Sequence, residues 1–463
     1  MKGGARRRST AGGAGSESTA SHSSSASSKR SSGTVDVASL SAQQAWQVPA
    51  RTLVACLVVP VLAALVRVGS MDRWIGTQLA TCSLLSVLAY FATVAMVPRV
   101  AGKLKGKLSG VDIGRRGLGG PEDGKPIPES LGIVSSTVFM MCVGAMMFLF
   151  GKQNDQVLEY NAALLSICFA TLLGLVDDVI DIKWKHKLVI GVVMSMPLLV
   201  SYQGPTSILI PRVMAEYIQT EPTLIEIINA IPSVHIHPSG NFVDLGVLFY
   251  MYMAALIVFC TNAINIYAGI NGIEVGQSVV IAGSISMLNL SSLIWRGGTE
   301  EEILSGDGRN HLFSLTIMLP FLATSLGLLR YNFYPAQVFV GDVFPYYAGM
   351  TIATSAILGH FSKSLLFLMI PQVINFCYSA PQLFHLVPIP RHRLPRVDLA
   401  TGWMHPSHVA PDDPRCNMTL LCLALRIFGP MHERTLCVVL LVFQVACGVI
   451  GYYFRNSISE WMF

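Results

Sequence analysis

Asp177 and Asp178 stand side by side at the end of the apolar run 161–176, and Lys183, Lys185, His186 and Lys187 follow at once. Charge at the edge of hydrocarbon is costly and is usually retained for function. Paired acids followed by lysines suit a place where a divalent cation meets a phosphate-bearing polyanion. Asp181 lies four positions beyond Asp177, so the two share a face if the helix continues past the apolar run. The plainer alternative is a solvated helix end whose lysines snorkel to lipid headgroups. A second constellation, TNAINIYAGINGIEVGQS (residues 261–278), breaks an apolar stretch with Asn262, Asn265, Gly269, Asn271, Gly272 and Glu274. Amide oxygens coordinate hard cations and amide nitrogens donate to sugar hydroxyls, while glycines allow close backbone approach to a ligand. A plain turn needs fewer such residues.

Three further segments add to the chemistry. Asp342, in YNFYPAQVFVGDVF (331–344), stands just before an apolar stretch, where a helix cap would look the same. Arg391, His392, Arg393 and Arg396 lie between prolines in PIPRHRLPR (388–396), a stiff basic loop suited to bidentate phosphate contacts or to anionic lipid. Glu129, in KPIPESLG (125–132), opens another apolar run, where simple capping is the ordinary reading. Together these segments offer acids and amides for a cation, bases for phosphates and polar groups for a sugar or nucleobase. The ligands they imply are a phosphorylated, water-soluble donor and a lipid acceptor.

Membrane helices must position these residues. Of 463 residues, 52% are hydrophobic and 13% charged, with mean hydropathy +0.54, whereas soluble domains carry about 25% charged residues. On the ruler of about 20 apolar residues per span, eleven segments qualify: 52–68, 76–97, 131–151, 157–176, 188–202, 245–262, 276–295, 311–329, 344–361, 364–386 and 434–454. The expected fold is therefore all-α and polytopic, a single membrane domain over 45–463 preceded by a Ser/Gly-rich tail, 1–44, too polar to bury a core. The net charge of +5 comes from bases clustered between apolar runs, and no nucleic-acid module is present. The ten cysteines, mostly inside apolar segments and without metal-ligand spacing, are expected to be reduced packing residues.

With a cytosolic tail, parity puts 24 of the 32 lysines and arginines on the tail's side of the membrane. That skew makes it the cytosolic side. Every segment singled out above falls there. The far-side loop 203–244 is expected to act as a cover, and of the two Asn-x-Ser/Thr sequons Asn289 falls in a span and Asn417 in a cytosolic loop, so neither should carry glycan. A cation-coupled transporter is the competing class, but its acids would lie near the midplane in repeated halves. Here they lie at helix ends on one face, and no internal repeat is visible.

The stretches IPES, GLVDDVIDIKWKHK, TNAINIYAGINGIEVGQS, VFVGDVF, ILGHFSK and PQLFHLVPIPRHRLPR resemble the polyprenyl-phosphate N-acetylhexosamine-1-phosphate transferases, in family order from about residue 76 to 454. The resemblance is strongest to the eukaryotic members that use dolichyl phosphate. It implies ten core spans, with 52–68 as an N-terminal addition, and Mg²⁺-dependent transfer of GlcNAc-1-phosphate from UDP-GlcNAc to dolichyl phosphate; another UDP-N-acetylhexosamine is the alternative donor. It further implies Mg²⁺ at Asn265 and Asp342, phosphate contacts at Lys187, Arg391 and Arg393, and His392 near the GlcNAc. Asn271 and Glu129 would meet the sugar and uridine ends, and Ile113, Asn262, Asp181 and Trp184 would line the same cleft. Asp181 stands where relatives carry Asn. Asp177 and Asp178 would serve the acceptor side, and loop 387–433 would choose the donor. An endoplasmic reticulum location, inhibition by tunicamycin and a homodimer are the remaining expectations.

Overall fold

The computed structural model describes residues 62, 66–67, 73–112, 124–210, 229–230, 233–236, 242–296, 307–388, 394–408 and 416–462. The tail 1–44, most of the segment 52–68, Ile113, Arg391, His392 and Arg393 lie outside the described residues, as does the side chain of Trp184.

Long apolar runs form helices because a helix alone satisfies its own backbone in hydrocarbon. In chain order they are α1 (Arg73–Leu104), α2 (Gly132–Met146, extended by a π-helical turn Met147–Gly151), α3 (Val157–Ile180), α4 (Trp184–Ser201), α5 (Val247–Ile266), α6 (Ile273–Arg296), α7 (Asp307–Asn332) and α8 (Val343–Leu358). The chain continues through α9 (Ser362–Leu368), α10 (Ile370–Leu383), α11 (Leu420–Phe428) and α12 (Glu433–Met462). Among the described residues seven helices are long and apolar enough to cross a membrane, or eight if the pair α9 and α10, bent by 75°, makes one span. The ten expected core spans all coincide with helical segments, but α4 and α8 fall short of that measure. Helix α4 opens on Trp184-Lys185-His186-Lys187, which shortens its apolar part. Helix α8 has 16 residues and every one is buried, so it is a core helix walled in by α3 and α5.

Helix α7 is the centre of the bundle, with 94% of its apolar window buried, against 28% for α1. Helix α1 instead turns Leu84, Val87, Leu88 and Phe91 outward, and α4 does the same with Val189, Val193, Met196 and Val200. Such continuous exposed apolar faces match helices bathed in lipid. All described cysteines are free, and Asn289 is fully buried.

Sheet is confined to loops. Strands β1 (Ser109–Val111) and β2 (Pro126–Pro128) pair antiparallel, with Gly110 opposite Ile127. On the far side, β3 (Ser207–Leu209), β4 (His235–Ile236) and β5 (Phe242–Asp244) form a small sheet with β5 in the middle. In the basic loop, β6 (Arg396–Val397), β7 (Trp403–His405) and β8 (Met431–His432) form another, with β7 central.

Candidate active site

The acids of α3 reach the start of α8 because the two backbones nearly touch. A Cβ on Gly174 would lie 2.7 Å from the Asp342 carbonyl oxygen and 2.8 Å from the Val343 nitrogen, so only glycine permits this approach. One turn later Asp178 Oδ1 accepts the backbone N–H of Asp342 at 2.7 Å. Gly341 makes room for that contact: it holds φ +67, and a Cβ there would collide with Asp178 Oδ2. Asp178 thus fixes the turn that presents Asp342.

Asp177, almost wholly buried, forms an ion pair with Lys187 from the first turn of α4 and accepts the Ile182 N–H at 2.9 Å. Lys187 Nζ also lies 3.6 Å from Asp342 Oδ2. From the end of α5, Asn265 Nδ2 donates to Asp342 Oδ1 at 3.1 Å. Three carboxylates, one ammonium and one amide from α3, α4, α5 and the α7–α8 turn therefore meet at a point. Burial and the neighbouring Asp177 raise the pKa of Asp342 well above the ordinary carboxylate range.

Asp342 and Asn265 open onto a cleft of about 310 Å³, at the lower end of the size of small-ligand pockets. Glu129 and Asn271 line it, together with Asp112, Glu274, Phe339, Leu394, Met404 and Glu433. Leu394 and Met404 belong to the 387–433 segment, which therefore supplies part of the wall. Asp112 and Glu433 escape the sequence reading because each is an ordinary acid in a polar loop; only the fold brings them to Asn271, across 159 and 162 residues. Glu274, named with the Asn-rich motif but given no role there, also reaches the cleft wall.

Two expectations need correction. Helix α3 does not continue through Asp181: it ends at Ile180, and Asp181 takes a left-handed conformation, φ 57, as its C-cap. Asp181 is exposed and does not share a helical face with the buried Asp177. Asn262 gives its Nδ2 to the Val258 carbonyl of its own helix at 2.8 Å, and it is not among the residues of the cleft wall.

The Asn-rich loop is held from behind by a buried glutamine network. Gln277 Nε2 donates to the Tyr267 and Ile264 carbonyls freed at the end of α5, at 2.8 and 3.3 Å. Gln372 of α10 donates to Gln277 Oε1 and Gln444 Oε1, both at 2.7 Å, and Gln444 caps the Leu368 carbonyl at the α9–α10 break at 2.8 Å. Gln277→Leu would strand those acceptors and donors. It is expected to cost about 1–3 kcal/mol in stability and to weaken activity with it, as read by thermal unfolding and turnover of the same preparation. An unchanged melting temperature would contradict this account of the loop.

Asp342 and Asn265 are the residues at the cleft that could hold a divalent cation. Asp342 and Asn265 supply hard oxygen ligands, and among the described residues no group of three or more His, Cys, Asp or Glu side chains is arranged to hold a metal ion. Two protein ligands leave coordination positions for phosphate oxygens and water, as is usual for Mg²⁺.

Comparison with known proteins places the chain in a family. The family model described as glycosyl transferase family 4 matches residues 160–360. The chain is 41% identical over 416 residues to the UDP-N-acetylglucosamine–dolichyl-phosphate N-acetylglucosaminephosphotransferase of Dictyostelium discoideum, covering 86% of this chain and 94% of that protein. Proteins of the same name from Schizosaccharomyces pombe and Saccharomyces cerevisiae are each 34% identical, over 81% of this chain and 91% of theirs. The segment 160–360 contains Asp177, Asp178, Lys187, Asn265, Asn271 and Asp342, and the chain belongs to glycosyl transferase family 4, among its UDP-N-acetylglucosamine–dolichyl-phosphate N-acetylglucosaminephosphotransferases.

Proposed function

We propose that the chain transfers GlcNAc-1-phosphate from UDP-GlcNAc to dolichyl phosphate, giving GlcNAc-diphosphodolichol and UMP, the opening step of lipid-linked oligosaccharide assembly for N-glycosylation. The observation that carries this reading is the meeting of Asp177, Asp178 and Lys187 with Asp342 and Asn265, the last two of which line a cleft beside lipid-facing helices. The relatives' names supply the substrates.

The chemistry needs positioning and charge neutralisation more than covalent help. An oxygen of the acceptor phosphate attacks the β-phosphorus of the donor; the bond from that phosphorus to the bridging oxygen breaks, and UMP leaves. The acceptor, with a second pKa near 6, is mostly dianionic at neutral pH, so it needs no strong base. Lys187 offers positive charge to phosphate while pairing with Asp177; Asp177 can take any residual proton. Asp178 holds the Asp342 turn rigid. Asp342 and Asn265 would hold Mg²⁺, which supplies Lewis-acid neutralisation of the donor diphosphate. Arg391 and Arg393 are assigned to phosphate, His392 to the GlcNAc, and Ile113 and Trp184 to the remaining cleft wall, by resemblance.

In this reading the protein lies in the endoplasmic reticulum membrane as a homodimer, with its site facing the cytosol and open to tunicamycin. A panel of UDP-sugars and polyprenyl phosphates, run with and without tunicamycin, tests it: UDP-GlcNAc with dolichyl phosphate should be the preferred pair, and tunicamycin should abolish transfer. Preference for a different UDP-N-acetylhexosamine would overturn the donor assignment. A phosphorylated Asp177 or Asp178 trapped with donor alone would replace direct attack by a two-step path.

A further inference from the structure

The loop between α5 and α6 has a problem that another part of the chain solves. Gly269 and Gly272 both take positive φ, +115 and +85, so the backbone between them turns away from helix and ladder alike. Asn271, 6% exposed, is left there with a buried N–H and a buried side chain, and buried donors without acceptors are costly. Glu433, 4% exposed and the first residue of α12, accepts the Asn271 N–H on Oε1 at 2.7 Å. Asp112, just past β1, accepts the Asn271 Nδ2 on Oδ2 at 2.9 Å. A carboxylate can only accept, so the Asn271 amide nitrogen must face Asp112 and its oxygen is what remains to offer a ligand.

We propose that Glu433 is a positioning residue for donor binding: through the Asn271 N–H it locks the Gly269–Gly272 turn into the cleft wall, while Asp112 sets the orientation of the Asn271 amide. The inference rests on the transfer reading above. Glu433 lies at the other end of the chain from Asp112, and both, with Asn271, line the same cleft. Among the described residues the cleft wall around Asn271 carries Asp112, Glu129, Glu274 and Glu433 and no lysine or arginine, while Lys187 stands beside Asp342. The clamped turn therefore meets the neutral, hydrogen-bonding part of the donor, and the diphosphate lies toward Lys187 and Asp342. An acid in the first turn of α12 is also favoured by the helix dipole, but a dipole partner has no need to reach across to another loop.

The test is steady-state kinetics on the full-length protein in detergent, with UDP-GlcNAc and dolichyl phosphate varied in turn and UMP as a competing ligand. Glu433→Ala should raise the donor KM and the UMP inhibition constant by about ten-fold or more, with the acceptor KM within about two-fold of wild type. Glu433→Gln, whose amide oxygen can still accept the N–H, should stay within about three-fold of wild type. If Glu433→Ala does not accumulate as folded protein, Glu433→Asp, charged but one methylene short, carries the same expectation. A donor KM that stays within about two-fold in the Ala or Asp variant, a Gln variant as impaired as Ala, or donor and acceptor KM rising together would each overturn the proposal. Absence of transfer by wild type in the same assay would instead overturn the reading of function on which it rests.

Discussion

Asp342→Ala is expected to lower turnover by about 10³-fold or more, while the cation-free protein melts at or above the wild-type temperature. The loss follows from the donor set: Asp342 is the only carboxylate in the two-residue cation site proposed with Asn265, and Lewis-acid neutralisation of a diphosphate is worth several kcal/mol, each 1.36 kcal/mol being ten-fold. The gain in stability follows from the electrostatics. Asp342 sits against Asp177 and Asp178, and burial with this like charge raises its pKa. A group that binds its proton more tightly folded than unfolded makes stability fall as pH rises above the unfolded value, near 4 for an aspartate. In chelator, wild type should therefore lose stability as pH climbs through and beyond the ordinary carboxylate range, and Asp342→Asn should flatten that slope. Thermal unfolding across pH checks the second point. An Asn variant less stable than wild type at alkaline pH would contradict the crowding of carboxylates; turnover retained in the Ala variant would contradict the cation site.

Lys187→Met is expected to remove both stability and turnover. The side chains of Lys187 and Asp177 are 16% and 1% exposed, so removing the ammonium leaves a buried, uncompensated carboxylate, which costs about 3–5 kcal/mol. Turnover should fall by about 10²- to 10³-fold, as when a preorganised donor to developing phosphate charge is lost. The two effects can be separated. Asp177→Asn combined with Lys187→Met removes the stranded charge and should regain most of the stability but none of the turnover, a coupling that a double-mutant cycle reads directly. A Lys187→Met protein as stable as wild type would show that the pair does not hold α3 to α4.

The charged residues that matter most were legible because they stand in apolar surroundings. Asp177, Asp178 and Lys187 at a span's edge are anomalies on the scale of membrane cost, whereas Asp342 alone reads as a cap and the neutral Asn265 stood out only within an Asn-rich run; the fold brings all five together. What was not legible depends on where the chain bends. Spacing placed Asp181 beside Asp177, but the backbone leaves the helix at Ile180 through a left-handed cap. Asn262 is one turn from Asn265 yet bonds its own helix. Asp112 and Glu433 are acids in polar loops, where acids are ordinary, and only contacts across more than 150 residues give them a role. Span counting faltered at α8 for a related reason: its walls are other helices rather than lipid, so 16 residues suffice. The small sheets have strands of two or three residues, too short for any alternation to show.

The central claim is that these residues make a cation-dependent phosphotransfer site, and the most direct measurement is the product balance of the purified full-length protein. With UDP-GlcNAc, dolichyl phosphate and Mg²⁺, wild type should release UMP and form GlcNAc-diphosphodolichol in equal amounts, with neither product when chelator replaces Mg²⁺ or when Asp342 is alanine. Equal yields with chelator, or no UMP and no lipid-linked GlcNAc under any of these conditions, would contradict it.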